Sequence, residues 1–287
     1  LDINISQITE NEVQYDVLTL QPVQEAVAKI LKTSEGLNLI DLVENEDYTQ
    51  DDEYYYFYML EDAVSVCSVA AEENVTKIEI LKDITTQNNI EIIEGQNIEI
   101  DLNEKQINAY VADVFINNNG TLKLTDSSAS QLGKITNMDT VIINNGKLDT
   151  QVNIKNMEIY YVERASTYEP YKNTITNNGE LTVNGGTIEA QCAGIAIVNT
   201  NKLIVNDGTI NALNLGSKTE SIGIFNKEAA TCIINGGKLY NNGETYQGMS
   251  IRNIDTASLK MNGGSITGTA MGISNKSTRL SEDGIID

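Results

Sequence analysis

From about residue 79 the chain alternates two short phrases, and a sequence that repeats on so short a period folds as stacked units, not as an ordinary globule. The first phrase is apolar-x-apolar-Asn-Gly-Gly-x-apolar. It reads Leu181-Thr182-Val183-Asn184-Gly185-Gly186-Thr187-Ile188, then Leu203 to Ile210, Cys232 to Leu239 and Leu259 to Ile266, with earlier copies at Val141 to Leu148 and Ile100 to Ile107. The second phrase is Ile-x-Asn, ending at Asn118, Asn137, Asn177, Asn199, Asn226, Asn253 and Asn275. The Asn-to-Asn steps are 19, 40, 22, 27, 27 and 22 residues, and the long step divides at Ile154-Lys155-Asn156.

The units are rich in Ile, Val, Thr, Asn and Gly, which is the composition of strands and tight turns. Each carries two or three alternating runs that turn one apolar face inward, and one unit alone has nothing to bury that face against. Stacking solves this: each coil pairs its backbone with its neighbours at about 4.8 Å while inward side chains form ladders. The expected fold is therefore all-β, a right-handed parallel β-helix of roughly nine coils, a rod of about 40 to 45 Å at that spacing. Repeated Asn at one turn is expected to stack as an amide ladder. Cys232 stands where sister coils have Leu181, Leu203 and Leu259, so it is expected to be a core thiol.

The open end of such a stack needs a cap. Residues 1 to 62 hold fifteen Asp and Glu against Lys29 and Lys32, thirteen of the net 22 negative charges, and so form a chemically distinct region. We expect an acidic α/β cap over residues 1–73 and the β-helix over 74–287. Short helices are expected at Leu60 to Ala71 and at residues 23 to 33, and strands in the first twenty residues. The stretch from Asn275 to Ile286 begins another repeat, which predicts further coils or a cap beyond it. The chain opens without Met or a charged-then-apolar leader and reads as a mature or excised fragment.

A net charge of −22 disfavours nucleic acid and anionic membranes as partners, and no apolar run approaches bilayer-spanning length. Three cysteines at irregular spacing do not make a disulfide scaffold or a metal cluster. No Asp-x-Asp-x-Asp-Gly loop is present, so no cofactor or metal is expected.

Three phrases lead into the coils: Tyr58-Met59-Leu60-Glu61-Asp62-Ala63-Val64, Ile78-Glu79-Ile80-Leu81-Lys82-Asp83-Ile84 and Ile98-Glu99-Ile100-Asp101-Leu102-Asn103. Followed by Asn-Gly coils in this order, residues 54 to 286 resemble a family of bacterial cell-surface proteins with a pectate-lyase-like right-handed β-helix. The resemblance implies a secreted or wall-attached extracellular protein. One departure is Glu104, which stands where that family usually has Gly.

Polysaccharide lyases and glycoside hydrolases use this scaffold too. The chain has no His, which excludes Ser-His and Cys-His chemistry. The resemblance to pectate lyases would imply an Arg or Lys base on a calcium-bound uronate, and the arginines are Arg164, Arg252 and Arg279. Arg252 falls at an outward position of the Ile-x-Asn phrase, where a solvated side chain is expected. The expected function is thus a non-catalytic extracellular surface module, an adhesin or stalk that binds a glycan or a host or cell-surface protein. The alternative is a polysaccharide lyase or glycoside hydrolase.

Binding residues are expected where the repeat is broken. Residues 157 to 173 interrupt the phrasing and carry Tyr160, Tyr161, Arg164, Tyr168 and Tyr171, whose aromatic faces and charge suit sugar rings or peptide. A second cluster, Tyr48, Tyr54, Tyr55, Tyr56 and Tyr58, reads as an edge strand of the cap with Tyr54, Tyr56 and Tyr58 on one face.

Overall fold

A computed structural model of the chain describes residues 2–10, 13–21, 24–69, 74–156, 173–191, 194–213, 221–241 and 248–276. With 58% strand against 3% helix, the chain is an all-β solenoid of parallel stacked coils. No helix among the described residues is long and apolar enough to cross a membrane.

Each turn of the solenoid is built from three strands, which define three faces. One turn runs through Thr121–Thr125, Lys134–Asn137 and Thr140–Asn144. On the first face Ile116, Ile142, Ile175, Ile197, Ile224, Ile251 and Ile273 lie in register. On the second, Ile98, Leu122, Leu148, Leu181, Leu203, Cys232 and Leu259 do the same, so Cys232 occupies the leucine place as expected. The third carries Ile107, Ile135, Ile154, Ile188, Ile210, Leu239 and Ile266. These columns meet inside as one apolar core, whose members are almost all fully buried.

The first-face strand ends on an asparagine ladder, as expected, but Asn144 takes the rung expected of Asn137. Nδ2 of Asn118 donates to Oδ1 of Asn144 at 2.7 Å, and the pattern repeats through Asn177, Asn199, Asn226 and Asn253 to Asn275. The second N–H on each Nδ2 goes to a backbone carbonyl, for example Lys147 O at 2.9 Å from Asn118 and Lys202 O at 2.9 Å from Asn177. A carbonyl only accepts, so it fixes the orientation of every amide in the column. The first rung is incomplete: Asn118 pairs across to Ile92, which has no side-chain donor, and its buried Oδ1 has no partner among the described residues.

The stack makes about six turns, not the roughly nine expected. Ile135-Thr136-Asn137 and Ile154-Lys155-Asn156 stand in register with each other on the third face, not on the ladder, so they add no turns of their own. Likewise Val141 to Leu148 spans the ladder turn, whereas Leu181 to Ile188 spans the next corner.

At the N-terminal end Ala28–Leu31 pairs antiparallel with Thr76–Ile80 of the first coil, then with Tyr54–Phe57, which pairs with the short edge strand Tyr48–Gln50. The helix Leu60–Ser65 buries Leu60, Ala63 and Val64, and Gln96 of the coil donates to the carbonyls of Val64 and Cys67. The cap thus continues the sheet and covers the core at once. Asp2–Glu10 and Val13–Gln21 form an antiparallel hairpin.

Two expectations are corrected here. The helix over Leu60 to Ala71 is shorter, ending at Ser65. The helix over residues 23 to 33 is a strand instead: Ala28 and Ile30 are buried while Lys29 and Leu31 face out, a period of two. Antiparallel partners on both sides overrode a pattern that also fits a helix.

Candidate functional site

The corner between the second and third faces uses its carboxylates for structure. In the first full coil Asn103 and Glu104 take φ of 44° and 69°, so Glu104 holds the left-handed conformation where the resembled family has Gly. It is held there by Asp126, whose Oδ1 accepts from Glu104 N and Ser128 N at 3.0 Å and whose Oδ2 accepts from Gly133 N at 2.6 Å. Asp101, only 1% exposed, accepts from Ser127 N at 2.9 Å and Asn103 N at 3.1 Å and pairs with Lys77 at 2.7 Å. Burial pushes the Asp101 carboxyl up, and Lys77, Ser127 and Asn103 overcome this and hold it at about 2.

That shift has a stability consequence. The folded value lies below the ordinary 3.8, so the carboxylate's contribution is complete above pH 4 or so and is lost as pH falls towards 2. The contribution is about 2 kcal/mol. Asp101→Asn is expected to lower stability by about that amount at pH 7 and to change it little at pH 2. Urea unfolding at the two pH values checks this; an equal loss at both would contradict it.

Among the described residues no group of three or more His, Cys, Asp or Glu side chains is arranged to hold a metal ion. Burial pushes the thiols of Cys67 and Cys232 up to about 12, so neither is a nucleophile at neutral pH. Cys192 lies outside the described residues.

In the cap, Tyr54–Phe57 is flanked on both sides and is not the expected edge strand; Tyr58 falls beyond its end. Tyr54 and Tyr56 share its outer side with ring centroids 6.1 Å apart, and Lys29 Nζ sits 4.6 Å from the Tyr54 centroid. Tyr56 Oη donates to Asp51 Oδ2 at 2.7 Å. That bond and two backbone N–H groups hold Asp51 at about 2, and the Tyr56 phenol is pushed up to about 12. Tyr48 packs on Tyr55 and Phe57 instead.

The five expected binding residues, Tyr160, Tyr161, Arg164, Tyr168 and Tyr171, lie outside the described residues. Their anchorage is nevertheless defined. The chain leaves the third face at Asn156 and rejoins the ladder face at Asn173. Residues 191–194, 213–220 and 242–247 connect the same two faces in later coils, whereas the eight-residue connection 126–133 lies at the corner between the second and third faces.

On the third face an outward column runs Lys155, Glu189, Asn211 and Tyr240. Lys155 pairs with Glu189 at 2.7 Å, and Asn211 donates to Glu189 at 3.1 Å. Three polar atoms there have no partner among the described residues: Asn156 Nδ2, Asn173 Oδ1 and Asn211 Oδ1.

On the ladder face Ile195, Val198 and Ile222 form a separate buried apolar cluster with Phe225 packed against it. Arg252 faces outward as expected, but it is half-buried, with its guanidinium carbon 5.3 Å from the Phe225 centroid. Sequence reasoning passed over this ledge. Its only signal was apolar residues at the outward x of Ile-x-Asn, where Asn117, Thr176 and Ser274 stand in other coils. Comparison of the chain with protein-family models, curated proteins and solved structures found no match.

Proposed function

We propose that the chain is a non-catalytic extracellular surface module, an adhesin or stalk that binds a glycan or a protein ligand at the corner between its third and ladder faces. The observation that carries this reading is that the connections of residues 157–172, 191–194, 213–220 and 242–247 join the same two faces at one corner, beside a buried apolar cluster and a polar column. Insertions on one side of a solenoid are the usual place for binding. The likeness to bacterial cell-surface proteins with pectate-lyase-like coils supports the extracellular setting.

The test is a glycan and cell-surface-protein array probed with the whole chain and with a Tyr160→Ala/Tyr168→Ala variant. We expect binding that the double variant loses by tenfold or more, about the worth of one stacked aromatic contact. Binding that the variant retains would move the site elsewhere, and no binding at all would leave only the stalk. Release of unsaturated or reducing ends from acidic polysaccharides would instead establish the chain as an enzyme.

A further inference from the structure

The strand Tyr54–Phe57 turns Tyr55 and Phe57 towards the core and Tyr54 and Tyr56 outward, and it is paired on both sides, by Ala28–Leu31 and by Tyr48–Gln50. Phe57 is fully buried, whereas both outer rings stay part-exposed. In the coils that continue this sheet an outward column is charged instead, running Lys77, Glu99, Lys123 and Asp149. The aromatic pair is thus a local departure, and the core does not need it.

The pair is pre-organised. Its ring centroids are 6.1 Å apart with planes tilted by 54°, which makes a shallow notch and not one flat plane. Tyr56 is tied down by its hydroxyl, which donates to Asp51 Oδ2 at 2.7 Å, and Asp51 is fixed in turn by the N–H groups of Glu53 and Tyr54 at 2.8 and 2.7 Å. Lys29 pairs across from Tyr56 and lays its Nζ 4.6 Å from the Tyr54 centroid and 3.2 Å from Glu79 Oε1. On the same strand Leu31 pairs across from Tyr54 and is 37% exposed. The face therefore combines an apolar floor with an ammonium donor and carboxylate acceptors at its rim.

We propose that this face of the cap is a second binding site, separate from the corner between the third and ladder faces, and that it takes a neutral saccharide. The C–H face of a pyranose packs on aromatic rings. Its hydroxyls both donate and accept, which matches a rim with Lys29 on one side and Glu79 and Asp51 on the other. Rings already fixed by the sheet and by Asp51 lose little freedom on binding, which keeps the cost of association low. Charge selects among saccharides. Asp51, Asp52 and Glu53 stand exposed beside the rings, and residues 1 to 62 carry fifteen Asp and Glu against two Lys, so uronates and sulfated glycans are repelled.

The chain has no Trp, so Tyr54→Trp places a single indole at this face, and its fluorescence reports directly on what stacks there. To keep the corner out of the measurement, every protein tested also carries Tyr160→Ala/Tyr168→Ala. The whole chain with Tyr54 intact, with Tyr54→Trp and with Tyr54→Ala is titrated with neutral oligosaccharides (maltohexaose, cellohexaose, mannohexaose and chitohexaose), with oligogalacturonate and with pentalysine. At least one neutral oligosaccharide is expected to bind when Tyr54 is intact and to shift the indole emission of Tyr54→Trp. Tyr54→Ala should weaken that binding by about tenfold, the worth of one stacked ring. Oligogalacturonate should bind about tenfold more weakly than the neutral ligand or not at all. An indole that no saccharide shifts, a response to pentalysine alone, or equal affinity with and without the Tyr54 ring would overturn the proposal.

Discussion

Asn199→Ala is expected to lower the unfolding free energy by about 3–5 kcal/mol. Asn199 accepts from Asn177 at 2.7 Å and donates to Asn226 at 2.7 Å and to Thr231 O at 3.2 Å, and all three asparagines are fully buried. Alanine strands the Nδ2 of Asn177 and the Oδ1 of Asn226 inside the core, and each orphaned group costs about 1–3 kcal/mol. Because every amide in the column points the same way, neither neighbour can reorient without breaking its own bond to a backbone carbonyl. Asn275→Ala is the control. Asn275 is an exposed rung, water can replace it for Asn253, and the loss should stay under about 1 kcal/mol. Urea unfolding of the two variants decides the matter; equal losses would mean that the ladder is an ornament of the turn and not a support.

The ladder was legible because inward Ile and the turn Asn recur together, and stacking leaves a repeated Asn little else to do. The turn count was not, and the reason is local. Asn118, Asn144 and Asn177 are followed by Asn119-Gly120, Asn145-Gly146 and Asn178-Gly179, the two-residue turn into the second face. Asn137 and Asn156 are followed by Met138 and Met157 and close the third face instead. The three-residue phrase is the same at both corners, and only the residues after it distinguish them. The strand at Ala28–Leu31 was hidden for a different reason, since its period is decided by partners at Tyr54–Phe57 and Thr76–Ile80 that are distant in sequence. For the site, composition marked the Tyr-rich break, but the Val198–Phe225 ledge was passed over, because two apolar residues at the x of Ile-x-Asn read as ordinary strand residues until their coils are stacked.

The Asn-Gly-Gly phrase makes the same point at single-residue resolution, and its two glycines are expected to respond oppositely to alanine. A Cβ on Gly185 would meet nothing closer than Gln151 Cβ at 3.6 Å, an ordinary contact. The chain already accepts a side chain at the equivalent place, Asp207. Gly186 has φ of +70°, and its Cβ would lie 2.2 Å from Val152 O of the coil beneath. The left-handed backbone costs an L-residue about 1–2 kcal/mol. The clash is with main chain that is fixed by coil spacing, so relief requires prising the coils apart and weakening the pairing of Ile188 with Ile154. Gly186→Ala should therefore cost about 3–5 kcal/mol, and Gly185→Ala less than about 1 kcal/mol. Thermal and urea unfolding of the pair measure this directly. If the two adjacent substitutions cost the same, backbone contact between coils does not set the position of glycine in the repeat.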